Sequence, residues 1–201
     1  MSIIKTKLLH PITSPEQIDK IDESLSWAVR CQMKPRWSEE ITLFKLEKWV
    51  AVPVISESSI DSMEKERRQQ TLLARGYREL WAVGLCNRYV PPYTVPVTLE
   101  GLEEFRQEMG FLYDCALFAG QPEPDWVLIS IDSELDVIAG QADFIRQFLN
   151  CEIEEAFFRF QNYVVHEPMP KQLRQYLQLV HDRLKGNYQS ASVGAEFRLT
   201  P

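Results

Sequence analysis

The chain predicts an α+β protein: a mostly antiparallel sheet covered by helices, with a C-terminal run of helices. Three observations predict it. The middle of the chain holds three apolar runs, "FLYDCALFAG", "DWVLISI" and "LDVIAG", the first two separated by the Gly- and Pro-rich turn "GQPEP". Two earlier strand patterns are interleaved with helical ones, and after residue 140 the apolar residues recur at helical spacing. A parallel α/β sheet needs strand and helix to alternate throughout, and the central meander denies it.

Each element has a local reason. "TSPEQIDKIDESLSWAVRCQM" reads as a helix with Ser14 as cap and Pro15 at the first helical position. Glu16 and Asp19 suit the positive end of its dipole, and Ile18, Ile21, Leu25 and Val29 make its apolar stripe. "ITLFKLEKWVAVPVIS" reads as one long strand, at an edge or bulged because Pro53 has no N–H to donate. "SSIDSMEKERRQQTLLARG" is a helix stopped at Gly76, and "YRELWAVGLC" is the next strand. Prolines make "NRYVPPYTVPV" a loop, and "TLEGLEEFRQEMG" is a short helix from a Thr98 cap to Gly110. The meander follows. "ADFIRQFLN", "EIEEAFFRFQNYVV" and "PMPKQLRQYLQLVHDRLKG" then carry helical stripes that include Phe144, Phe148, Phe157, Phe160, Leu177 and Leu184. Residues 1–185 are expected to form one globular domain, with 186–201 a flexible tail.

Composition bounds the function. Of 201 residues, 45% are hydrophobic and 25% charged, and the five Trp, ten Phe and seven Tyr exclude a disordered chain. No apolar run approaches the roughly 20 residues of a membrane span. The N-terminus lacks the apolar core and cleavage site of a secretory leader, so the expected location is cytoplasmic. Cys31, Cys86, Cys115 and Cys151 lie far apart among apolar neighbours and read as buried reduced thiols. The net charge of −7 is uneven: residues 98–160 carry 14 acidic and 3 basic side chains, net −11. Such a field opposes phosphate backbones and anionic membranes.

Four constellations carry candidate chemistry. Asp132, Glu134 and Asp136 share a parity, so in an extended segment they would meet on one face and could hold a hard cation or do acid–base work. The "DSE" stretch falls where the strand pair turns, and the trio reads first as a hairpin tip. His10, His166 and His181 have no metal-ligand spacing, and a nucleophilic pair of Cys115 with His166 or His181 has no signature around it. Arg67, Arg68, Arg75 and Arg78 form a basic cluster that reads as a solvated helix face and its C-terminal turn. Finally, Tyr89 and Tyr93 flank Pro91 and Pro92 in a stiff, extended segment, which reads either as a loop whose tyrosines pack down on the domain or as the makeup of a contact hot spot. Nucleophile elbow, Walker loop and dinucleotide glycine fingerprint are all missing from the sequence.

The expectation is therefore a non-catalytic cytoplasmic module acting through a protein partner or self-association. Its accessory, regulatory or immunity-type role would run through Tyr89, Pro91, Pro92 and Tyr93. No cofactor, metal, nucleic acid or membrane is expected. A small hydrolase or transferase using Asp132, Glu134 and Asp136 ranks second. A nucleic-acid binder using Arg67, Arg68, Arg75 and Arg78 ranks third.

Overall fold

In the computed structural model, residues 7–33, 39–44, 49–54, 62–85, 90–110, 114–119, 124–131, 134–189 and 196–199 are described. In chain order they form β1 (His10–Pro11), α1 (Pro15–Ser26), β2 (Val29–Met33), β3 (Glu39–Phe44) and β4 (Trp49–Val54). Next come α2 (Ser62–Ala74), β5 (Glu79–Gly84), β6 (Tyr93–Pro96) and α3 (Leu99–Phe105), which runs into a π-helical turn at Arg106–Gly110. The meander is β7 (Cys115–Ala119), β8 (Trp126–Ile131) and β9 (Leu135–Gln141). Helices α4 (Ala142–Leu149), α5 (Ile153–His166) and α6 (Lys171–Gln189) follow, then β10 (Glu196–Arg198). The fold is α+β with a C-terminal helix run, as the sequence predicts.

Two antiparallel sheets organise the described residues. One has seven strands in the order β1-β6-β5-β7-β8-β9-β4, and the other three in the order β10-β3-β2. Every residue of β7 and β8, and all of β9 except its last, is buried, so both faces of the meander are covered. That is why these strands read as continuous apolar runs instead of alternating ones. The register sets two rows on one face. Leu117, Leu128, Ile138 and Val52 align across β7, β8, β9 and β4, and beside them run Cys115, Ser130, Asp136 and Val54.

Local chemistry explains the helix ends. Gly76 takes φ +86° after α2, and Tyr77 N–H returns to the Leu72 carbonyl at 3.2 Å while Gly76 N–H reaches Leu73 at 3.0 Å. This is the left-handed glycine stop of a Schellman motif. The Thr98 hydroxyl accepts from Gly101 N–H at 3.0 Å and caps α3.

Several expectations are corrected. Helix α1 ends at Ser26, and Val29 begins β2 opposite Leu43. Ala28 and Val29 are buried, so the apolar spacing is satisfied, but by strand pairing in place of helix. The long strand expected over 41–56 is two: β3 belongs to the small sheet and β4 to the edge of the large one, with 45–48 outside the described residues. Pro53 sits opposite Val137 on that edge strand, where a missing N–H breaks no inner ladder. Of the expected tail, residues 190–195, 200 and 201 lie outside the described residues. Helix α6 continues to Gln189, β10 pairs with β3, and the Tyr176 hydroxyl donates to the Leu199 carbonyl at 2.7 Å.

Cysteine usage is corrected too. Cys115 and Cys151 are free, but Cys31 is disulfide-bonded, and Cys86 lies outside the described residues. Disulfides persist in oxidising compartments, so the cysteines no longer support a cytoplasmic location. Among the described residues no helix is long and apolar enough to cross a membrane.

Candidate functional site

Glu134 and Asp136 of the acidic trio do not converge. Asp132 lies outside the described residues, and Glu134 is exposed in the β8–β9 turn, where its N–H donates to the Ile131 carbonyl at 3.0 Å. Asp136 is different: it is buried in β9 at 3% exposure and faces Arg106 from the π-helical turn. Arg106 Nη1 lies 3.0 Å from Oδ1 and 2.9 Å from Oδ2 of Asp136, and donates to Ser130 Oγ at 2.8 Å. The Ser130 hydroxyl donates in turn to Asp136 Oδ1. A charged group on the core side of a central strand is costly without a partner, and the guanidinium supplies one.

The aromatic loop is placed differently from its expectation. Tyr89 lies outside the described residues, while Pro91, Pro92 and Tyr93 are buried. Tyr93 is 0% exposed and sits on β6 between β1 and β5, with Pro11 opposite it on one side and Ala82 on the other. The Ile12 N–H also donates to the Pro92 carbonyl at 2.8 Å. Tyr93 is a core residue of the sheet, so its ring presents no contact surface.

Nor are the arginines a solvated face. Arg67 Nη1 donates to the carbonyls of Gln147 and Phe148 at 2.8 and 2.9 Å, satisfying the C-terminal end of α4. Arg68 is buried, pairs with Glu64 at 2.9 Å and lies 5.1 Å over the Phe148 ring. Arg75 stands 5.5 Å over Phe144. Three of the four cations thus fasten α2 to α4, and Arg78 is exposed beyond the helix. Asn150, with φ 50°, ends α4 in the left-handed conformation that asparagine tolerates.

The sequence did not reveal a cleft of about 210 Å³ between α2, α3 and the sheet. Its floor is Leu117, Trp126 and Leu128, on the same sheet face as Asp136. Leu72 and Arg68 of α2 form one wall, Leu99, Leu102 and Phe105 of α3 the other, and Phe148 of α4 closes the end. Trp126 holds the floor: its ring stacks on Phe144 at 5.3 Å and on Phe148 at 6.4 Å. Beside it, the Tyr77 hydroxyl donates to Asp125 at 2.7 Å, and burial followed by that bond pushes the phenol pKa up to about 12. Gly140 lies opposite Trp126, and a Cβ there would meet Trp126 Cβ at 2.8 Å and the Asp125 carbonyl oxygen at 2.9 Å, so only glycine admits this approach. Lys65, Glu103 and Gln107 are the more exposed lining residues and form the mouth, where Lys65 and Glu103 pair at 3.7 Å. Arg68 and Arg106 lie deeper, their side chains each 6% exposed.

A second, more open cavity of about 490 Å³ gathers Cys151, Arg159, Tyr163, His166 and Glu167 with Glu64 and Arg68. Burial raises the Cys151 thiol pKa despite Arg159 nearby, so the thiolate that nucleophilic chemistry needs is disfavoured. Cys115 is fully buried, and burial raises its pKa further still. His181 packs elsewhere, stacked on Phe160 at 6.3 Å and edge-on to Phe157 at 5.7 Å, with Nδ1 2.9 Å from Asp182. Among the described residues no group of three His, Cys, Asp or Glu side chains gathers as a metal set.

Fold and cleft together define an α+β protein with an apolar ligand-sized recess on one face of its sheet. The chain matches no protein-family model, no curated protein and no solved structure.

Proposed function

We propose that this protein is a non-catalytic binding module whose cleft between α2 and α3 receives a small, largely apolar molecule. One observation carries the reading: a recess of about 210 Å³ floored by Leu117, Trp126 and Leu128 opens beside a well-packed aromatic cluster. Protein interiors leave few voids larger than a water molecule, and an apolar cavity of roughly 150 Å³ is enough to take benzene. The chemistry of the other candidates supports a binding role. Asp136 is held in a buried ion pair, the described thiols that are free have raised pKa values, and Arg67 and Arg68 bind their own fold.

The test is ligand-induced stabilisation. 3-Phenylpropanol at about 100 times its dissociation constant should add about 2.7 kcal/mol. For a chain of this size that is a rise in Tm of several degrees, at about 2–4 °C per kcal/mol. Leu102 is half-buried in the cleft wall, so Leu102→Trp should fill the recess, fold normally and abolish the rise. An unchanged rise in that variant would place binding elsewhere and sink the reading.

Contact with a protein partner or a second copy is a second reading, now favoured by α5 and no longer by the proline loop. Phe158 and Val165 are 61% and 51% exposed, two helical turns apart on the same side of that helix. If this side makes contacts, sedimentation should show concentration-dependent association that Phe158→Ser and Val165→Ser together remove at little cost in stability. Monomeric behaviour at all concentrations would eliminate self-association.

A further inference from the structure

We infer that the cleft selects a small monocarboxylate with an apolar body, a deepening that rests on the reading of the recess as a ligand site. The lining is apolar in its floor and both walls, yet its charged members are three cations and one anion: Lys65, Arg68 and Arg106 against Glu103. Glu64, which pairs with Arg68, and Asp136, which pairs with Arg106, are not part of the lining. The cleft therefore offers a ligand the N–H donors of two arginines whose counter-charges lie outside its lining, and both side chains are more than nine-tenths buried.

Burial makes those donors selective. In a low-dielectric site an ionic hydrogen bond is roughly twice as strong as a neutral one, and a misplaced charge is correspondingly costly. A guanidinium carries five N–H donors, so it can serve a ligand carboxylate while holding a protein acid. The two arginines are fixed before any ligand arrives. Arg106 is held by Asp136 and Ser130, and Arg68 by Glu64 and the Phe148 ring, so little side-chain entropy remains to be lost on binding. A cationic ligand would bring like charge to the same place. A volume near 210 Å³ has room for one aromatic ring with a short arm, and the arm's acid would reach the arginines while the ring lies on Leu128 and Trp126.

Three ligands with one body and different heads decide the matter: 3-phenylpropionate, 3-phenylpropanol and 3-phenylpropylamine, titrated calorimetrically into the full chain at pH 7. The acid should bind about tenfold or more tighter than the alcohol, the worth of a single charge-assisted bond, and the amine weakest. Arg68→Gln should erase most of the acid's advantage while leaving the alcohol's affinity within about twofold. If that variant does not fold, Lys65→Gln, at the exposed mouth, should still narrow the gap between acid and alcohol, and an unchanged gap there would overturn the assignment. Equal affinity for acid and alcohol, or preference for the amine, would overturn the carboxylate inference and leave the cleft a binding site for neutral molecules. Binding of none of the three at millimolar concentration would remove the ligand site itself.

Discussion

Replacing Asp136 with alanine is expected to destabilise the fold by about 3–5 kcal/mol, measured by urea unfolding. The carboxylate is 3% exposed and its two oxygens both lie within 3.0 Å of Arg106 Nη1. Removing it leaves a guanidinium in the core with its counter-charge gone, and the Arg106 side chain is itself only 6% exposed. Such a loss is a large share of the roughly 5–15 kcal/mol that typically separates folded from unfolded domains. Ser130→Ala should cost less, about 1 kcal/mol, since it deletes a neutral hydroxyl and leaves the ion pair in place. The informative comparison is the double replacement Arg106→Met with Asp136→Leu. Two charges removed together leave no orphaned charge, only the buried Ser130 hydroxyl without its partners, so the double variant should cost less than Asp136→Ala alone, and the coupling energy between the sites should be several kcal/mol. If Asp136→Ala alone costs under about 1 kcal/mol, Arg106 has found water, and the pair is less desolvated than its burial implies.

This pair also shows where the sequence can be read and where it cannot. The meander was legible because fully buried strands leave unbroken apolar runs, and the caps at Thr98 and Gly76 were legible because they act within a few residues. Val29 misled because its place four residues after Leu25 fits a helix stripe, and only the pairing with Leu43 across the small sheet makes it a strand residue. Asp136 is separated from Arg106 by thirty positions, so no local pattern joins them. One signal was present: Asp136 shares its parity with Ile138, a core position of β9, and a charge there demands a partner. Arg106, Arg146 and Arg159 are the only basic residues between 98 and 160, which makes the choice short. The cleft carried no such signal. Its lining comes from α2, α3, the π-helical turn, β7, β8 and α4, and a gap between two helices is set by their packing on the sheet, not by the stripe that either one shows. Arg67 and Arg68 follow the same logic: their spacing suits a solvated face, but α4 lies across that face and accepts them.

Trp126→Ala should be the second large loss, about 3–5 kcal/mol, the usual cost of deleting a fully buried aromatic side chain. The indole is 1% exposed, stacks on Phe144 and Phe148, and meets Tyr77 at 6.3 Å, so its removal strips three rings of a neighbour at once. The surroundings cannot easily collapse onto the void. Gly140 opposite has no side chain to move in, and the strand backbone beneath is fixed by pairing with β9 at Trp126 and with both β7 and β9 from Val127 on. Because Trp126 is also the floor of the cleft, the void should join the recess instead of closing off as a separate cavity. That continuity gives the prediction a second, sharper readout. Indole added to Trp126→Ala should enter the enlarged site and, at about 100 times its dissociation constant, return about 2.7 kcal/mol. Leu102→Trp in the same background should diminish the rescue by blocking the mouth-side wall. Loss of stability without any rescue by indole would mean that the aromatic cluster relaxes to fill the gap, and the floor of the cleft would then be soft where its stacked rings make it rigid.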